Sequence, residues 1–254
     1  MTLPDFPLAA SGAAHDLGNM TPPIPYPALA DALEARGYRD LTPVQAAVIA
    51  ADAGTRDLLV SAQTGSGKTV AYGLALAPTL LADGERLGAP DAPAALVVAP
   101  TRELALQVER ELAWLYGGAG GRIVSCVGGT DARREQRALA AGAHIVVGTP
   151  GRLRDHLERG HLDIGRLKAV VLDEADEMLD LGFREDLEFI LDASPSERRT
   201  LLFSATLPRE IVRLARRYQR DALRIACSGD SWYEPNGRST SRCALEIPRR
   251  TIFP

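Results

Sequence analysis

The sequence predicts an α/β fold with a mostly parallel, twisted sheet and helices on both faces. Three observations carry this expectation. Short apolar runs alternate with stretches that can run as helices, and such alternation closes into a parallel sheet through right-handed crossovers. One run, Asp57-Leu58-Leu59-Val60, leads into the small-residue segment Ser61 to Thr69. Another, Val170-Val171-Leu172, leads directly into Asp173-Glu174-Ala175-Asp176.

The elements follow in order. Residues 1 to about 27 are rich in Pro, Ala and Gly. Pro22, Pro23, Pro25 and Pro27 exclude helix and central strand there, so a loose arm is expected. Pro27 suits a first helical turn, Leu29, Ala30 and Leu33 share a face, and Gly37 closes that helix. Thr42-Pro43 starts a second helix running to Ala51, with Thr42 as its cap. Beyond the small-residue segment, strands are expected at 95–99, 123–127, 144–147, 169–172, 200–203 and 223–226. Their apolar runs read as buried on both faces. Helices are expected at 70–77, 102–116, 132–140, 152–158, 175–181, 185–191 and 209–220. The domain therefore spans 28–226, and the tail 227–254, with Gly, Pro, Ser and Arg but no helical period, reads as irregular or disordered.

The segment Ala62-Gln63-Thr64-Gly65-Ser66-Gly67-Lys68-Thr69 has the layout of a phosphate-binding loop between strand and helix. Small residues let successive N–H groups turn inward, and the helix start adds its free donors and positive dipole end. Lys68 can reach terminal phosphates and the Thr69 hydroxyl can ligate magnesium. Ala62 stands where the general pattern has glycine, which keeps the side chain small. In a doubly wound sheet, ligands bind beyond the carboxyl ends of the strands. Asp173 and Glu174 therefore fall on the same edge as the loop. Asp173 would hold magnesium, through water, and Glu174 would orient or deprotonate an attacking water. As a mere helix cap the acids would contribute only about 0.3–1 kcal/mol.

These stretches together resemble the DEAD-box RNA helicases. The resemblance rests on Ala62 to Thr69, Pro100-Thr101-Arg102-Glu103-Leu104-Ala105, Gly128-Gly129, Thr149-Pro150-Gly151-Arg152, Asp173 to Asp176 and Ser204-Ala205-Thr206, in the family's order, from about Gly37 to about Ala226. It implies a RecA-like domain that uses ATP and Mg2+ and binds RNA. It implies that the segment from Gly37-Tyr38 to Gln45 reads adenine, Gln45 being an amide with both donor and acceptor. It implies RNA-backbone contacts by Thr101, Arg102, Gly129, Thr149, Gly151 and Arg152, which carry little sequence information. It further implies that Asp176, Ser204 and Thr206 couple nucleotide state to RNA. The family's stacking aromatic, seventeen residues before the glycine, is replaced by Met20, with Tyr26 as a nearby substitute. Members of the family have a second RecA-like domain that supplies arginines to the ATP, and nothing here resembles it. Such an arginine is worth about 10³–10⁵ in rate, about 4–7 kcal/mol. Weak nucleotide binding, little ATPase and no unwinding are therefore expected of this chain alone. The alternative is a truncated or frameshifted non-motor RNA-binding module. The tail is a natural extension, an expression-derived segment or a frameshifted continuation, and its composition favours the latter two.

Composition bounds the rest. The chain has 254 residues, 46% hydrophobic and 24% charged, enough for a sizeable core, but only 5% aromatic, so that core must be mostly Ala, Leu and Val. Net charge is −4, with twelve arginines against six acids from Pro195 onward, so a nucleic-acid site must be a local patch. Cys126, Cys227 and Cys243 are odd in number and lack CxxC spacing, which argues against a disulfide partner and a zinc site and for a reducing compartment. With no membrane-length apolar run and no basic start to the chain, the cytoplasm is the expected location. His15, His144, His156 and His161 show no ligand spacing, Trp114 is expected in the core, and Arg213, Arg216, Arg217 and Arg220 read as a solvated face.

Overall fold

The computed structural model describes residues 24–50, 56–82 and 84–227, and the backbone of 232–233, 239–240 and 243–246. Most of the arm, including Met20, lies outside the described residues. The elements are α1 (Pro27–Ala35), α2 (Pro43–Ala50), β1 (Leu58–Ser61), α3 (Lys68–Leu81), β2 (Ala95–Val98), α4 (Arg102–Leu115), β3 (Ile123–Cys126), α5 (Ala132–Ala140), β4 (Ile145–Gly148) and α6 (Pro150–Glu158). There follow β5 (Ala169–Leu172), α7 (Ala175–Asp180), α8 (Arg184–Ala193), β6 (Arg199–Ser204), α9 (Arg209–Tyr218), β7 (Leu223–Cys227), β8 (Trp232–Tyr233), β9 (Ser239–Thr240) and β10 (Cys243–Glu246).

The main sheet runs β10-β7-β1-β6-β5-β2-β4-β3. From β7 to β3 every neighbouring pair is parallel. Side chains alternate between two cores, as the period of two in a strand requires. Leu58 and Val60 of β1, Ala95 and Val97 of β2 and Val171 of β5 join the core with α1 to α4. Leu59, Leu96, Val98, Val170 and Leu172 join the opposite core, with Leu153 of α6, Met178 of α7, Leu187 and Ile190 of α8 and Ile211 of α9. Each fully buried Leu or Val contributes about 1.5–3 kcal/mol, which holds strands this short in place. α3 continues past its expected end at Ala77, through Pro78 to Leu81. A proline there forfeits one hydrogen bond, while Leu81 remains buried in the core.

The parallel order sorts the sheet edge by chemistry. β1, β6 and β5 are neighbours, and their carboxyl ends carry Ala62 to Thr69, Ser204 to Thr206 and Asp173 to Asp176. β2, β4 and β3 are neighbours, and theirs carry Thr101-Arg102, Thr149 to Arg152 and Gly128-Gly129.

The tail corrects two expectations. Cys243–Glu246 is a strand rather than irregular chain, antiparallel to β7. It pairs the row of backbone groups that β7 would otherwise present as an open edge. β8 and β9 form a separate antiparallel pair. The register sets Cys243 opposite Cys227. Cys227 is disulfide-bonded while Cys126 is free and buried, so the expectation of no disulfide partner fails. The arginine expectation holds for the end of α9. Arg217 pairs with Glu188 and Asp192, and Arg220 with Glu197, all in exposed positions of little energetic weight. Among the described residues no helix is long and apolar enough to cross a membrane.

Candidate active site

The phosphate loop is built between β1 and α3. Ala62 is 1% exposed and packs in the core, its N–H donating to Ser204 O at 3.0 Å. A small apolar side chain is what that position admits. Gln63, Thr64 and Gly65 form the exposed tip of the loop. Gly67 precedes α3 with φ +87°, and a Cβ there would meet Gln45 Nε2 at 2.5 Å, so only glycine serves. Lys68 is 6% exposed and folds back over the loop. Its Nζ donates to Ala62 O at 3.2 Å and stands 3.6 Å from Glu174 Oε1. Thr69 is buried, and the buried Ser66 Oγ has no hydrogen-bond partner.

Asp173 ends β5 with 2% exposure. The Tyr72 hydroxyl donates to its Oδ2 at 3.0 Å, and its Oδ1 has no hydrogen-bond partner. Burial pushes its carboxyl up to about 6, against the pull of the Lys68 charge. Tyr72 is fully buried and held edge-on by Phe203, with ring centroids 5.3 Å apart. Glu174 has left-handed backbone, φ 52° and ψ 52°, costing a non-glycine residue about 1–2 kcal/mol. Its Oε1 accepts from Thr64 Oγ1 at 3.2 Å. Asp176, in the first turn of α7, accepts from Thr206 N at 2.9 Å and Thr206 Oγ1 at 2.7 Å. Burial alone would raise this carboxyl, but the Thr206 hydrogen bonds outweigh it and hold it below the usual range. The β5 and β6 ends are thereby tied together. Ser204 Oγ is buried beside the same carboxylate without completing a hydrogen bond, so Thr206 makes the link expected of both hydroxyls.

Gln45 is fully buried. Its Oε1 accepts from Thr42 N at 2.9 Å, half of a capping box that starts α2, and its Nε2 donates to Gly67 O at 3.2 Å. The amide thus ties α2 to the phosphate loop. Tyr38 is 38% exposed and lies against Trp114 of α4, with ring centroids 5.9 Å apart. Arg36 covers the same indole at 5.1 Å, and the half-buried Trp114 packs its other side against the first core. Tyr26 packs against the first core.

The other half of the edge is held by arginines. Thr101 caps α4 by accepting from Leu104 N at 3.3 Å. Arg102 Nη1 donates to Gly128 O at 2.8 Å, and a Cβ on Gly129, φ +75°, would come within 2.9 Å of that same nitrogen. Thr149 N donates to Cys126 O at 3.1 Å, and Gly151 is exposed at the start of α6. Arg152 donates through Nε to Glu135 Oε2 at 2.8 Å and through Nη2 to Thr130 O at 3.1 Å. Glu135 is 6% exposed and is the hub. It also accepts from Val127 N at 3.0 Å, from Thr130 Oγ1 and from His156 Nε2 at 2.7 Å. Burial would raise its carboxyl, but the bonds from His156, Thr130 and Arg152 hold it below the usual range. Glu135 welds the Gly128–Thr130 turn to α6.

Sequence reasoning missed Glu135, His156 and Tyr72. Tyr72 follows Lys68 by four residues, a helical spacing that signals a shared face. Glu135 and His156 meet only because α5 and α6 pack together. Cys126, whose thiol burial pushes up to about 12, lies within 4.8 Å of both. The Arg152 guanidinium already holds that carboxylate, so a cation is present there.

Fold and loop together define a P-loop α/β domain of the RecA-like class. A family model described as DEAD/DEAH box helicase matches residues 42–214, and the chain belongs to that family. It is 43% identical over 205 residues to the DEAD-box ATP-dependent RNA helicase CshA of Geobacillus kaustophilus, covering 81% of this chain and 43% of that protein. It is 44% identical over 200 residues to the chloroplastic DEAD-box ATP-dependent RNA helicase 3A of Zea mays, covering 78% and 27% respectively. A DEAD box protein from the hyperthermophile Methanococcus jannaschii superposes with a TM-score of 0.72 at 38% identity, covering 79% of this chain and 53% of that one. The chain thus spans about two fifths of the length of the Geobacillus relative.

Proposed function

We propose that residues 28–226 form the ATP- and RNA-binding domain of an ATP-dependent RNA helicase, which hydrolyses ATP only together with a second RecA-like domain. The observation that carries this reading is the convergence of Lys68, Asp173 and Glu174 at one sheet edge, with Asp176 bridged to Thr206 beside them.

The residues present suit a magnesium nucleotide. Asp173 Oδ1 and Ser66 Oγ are buried polar atoms without hydrogen-bond partners. The left-handed Gly67 turns the backbone into the start of α3, where free N–H groups favour phosphate. Residues 62–67 cradle the phosphates, Lys68 neutralises the terminal ones, and Thr69 and, through water, Asp173 hold magnesium. Bound magnesium offsets the charge that develops on the transferred phosphoryl group. Glu174 orients the attacking water or takes its proton. Gln45 and Tyr38 belong to the adenine-facing segment. Gln45 reaches the Gly67 carbonyl, so a base seated against it would be sensed at the phosphate loop.

RNA follows the β2-β4-β3 half of the edge, through Thr101, Arg102, Gly129, Thr149, Gly151 and Arg152. Hydrogen bonds to phosphate oxygens position a strand without reading its bases. Thr206 at the end of β6 ties to Asp176 beyond β5, the strand that adjoins the RNA half, and through Asp176, Ser204 and Thr206 a change at the nucleotide is passed to the second domain.

The reading is tested by titrating a labelled ATP analogue with magnesium into the chain and its Lys68→Ala variant. Saturable, magnesium-dependent binding that Lys68→Ala weakens at least about tenfold supports it, one lost charge-assisted bond being worth about 1.5–3 kcal/mol. Equal binding by both proteins contradicts it.

A further inference from the structure

A cavity of about 310 Å³ lies between α5 and α6, next to the Glu135 hub. Arg133 and Gln136 face it from α5. Arg152, Asp155 and His156 face it from α6, a single helical stripe, Arg159 from the cap that follows, and His161 closes the end. The wall is rich in donors and short of acceptors. Asp155 is paired through Oδ1 with Arg159 at 2.6 Å, and Glu135, behind the wall, is paired with Arg152 and His156. The Arg133 guanidinium and the Gln136 amide have no acceptor among the described residues. His156 is fully buried, Nε2 is taken by Glu135, and Nδ1 has no hydrogen-bond partner. A cation is disfavoured among these arginines. An acceptor-only group with negative charge satisfies the Arg133 guanidinium and the Gln136 amide.

We infer that this cavity seats a backbone phosphate of the bound RNA strand, one step beyond the contacts at Gly129 and Arg152. The inference rests on the RNA reading given above. Arg152 belongs to both places, lying at the start of α6 with the Thr149–Gly151 turn and lining the cavity. Arg133 supplies the unspent charge and Gln136 an amide donor. Glu135 holds both walls in register, since it binds Arg152 and His156 of α6 from α5. The contact is to phosphate, so it adds affinity without base preference.

Two measurements on the full chain test this. The first titrates inorganic phosphate while following the imidazole signals of His156 and His161 by NMR. The second measures binding of labelled single-stranded oligouridylate across a salt series for the parent, Arg133→Gln and Arg102→Ala. Arg133 is exposed, so its variant keeps the fold. The expected result is that phosphate shifts the His156 signals in the parent but not in Arg133→Gln, and that Arg133→Gln lowers the slope of log K against log salt by about 0.7. Unchanged affinity and slope in Arg133→Gln, with weakened binding in Arg102→Ala, would overturn the cavity assignment and leave the RNA track standing. Shifts with phosphate but no RNA binding by the parent would overturn both the RNA reading and the assignment of the cavity to RNA.

Discussion

Replacing Asp173 with asparagine should stabilise the fold at neutral pH while removing the carboxylate proposed to hold magnesium. Burial moves this carboxyl from 3.8 to about 6. The folded-state value lies above the unfolded one, so the folded form binds more proton between them. The stability associated with Asp173 is therefore full below about pH 4 and is lost as pH rises through about 6. The gap corresponds to about 3 kcal/mol withdrawn at pH 7. Asparagine keeps the shape and still accepts from Tyr72, but its amide N–H groups replace an oxygen that already lacks a partner. That orphaned donor costs about 1–2 kcal/mol. The net effect is a gain of about 1–2 kcal/mol near pH 7.5, which shrinks to nothing or turns into a loss of at most about 1 kcal/mol near pH 4.5. Urea unfolding of parent and variant at both pH values measures it. Asp57, also raised by burial, titrates in both proteins and cancels in the difference. A variant less stable than the parent near pH 7.5, or a difference independent of pH, would refute the reasoning.

Three further outcomes follow from the geometry. Gly67→Ala places a Cβ 2.5 Å from the Gln45 amide at a left-handed position, which should cost about 2–4 kcal/mol and lower Tm by roughly 5–15 °C, read by thermal unfolding. Glu135→Gln leaves Arg152 without its carboxylate and should cost about 3–5 kcal/mol at pH 7, with faster amide exchange at 127–130. Because the Glu135 carboxyl is held low, its stability is present above the unfolded value of 4.5 and lost as pH falls through the folded one, so the deficit should shrink in acid. Thr206→Val removes one donor to Asp176 and should change stability by only about 1 kcal/mol, while weakening the RNA dependence of nucleotide binding when a second helicase domain is supplied.

The parallel sheet was legible because its strands are uninterrupted apolar runs, and the phosphate loop because its chemistry is contiguous in sequence. Asp173 and Glu174 were placed correctly for the same reason, since strand direction fixes the edge at which they emerge. Glu135 was not legible. Its partners come from the chain after β3, the turn that follows and α6, and only packing brings them together. Gln45 was read as an adenine contact, but not as the strut that forces glycine at position 67. The strand at Cys243–Glu246 was missed because a four-residue run carries little period, and its pairing depends on the edge that β7 leaves open.

The most direct test supplies a helicase second domain in trans and measures ATP turnover with and without single-stranded RNA. The chain alone should show little turnover. Adding the second domain should produce turnover that RNA stimulates and that Asp173→Asn abolishes. Turnover at full rate by the chain alone, or turnover indifferent to both RNA and the second domain, would contradict the proposed division of the site between two domains.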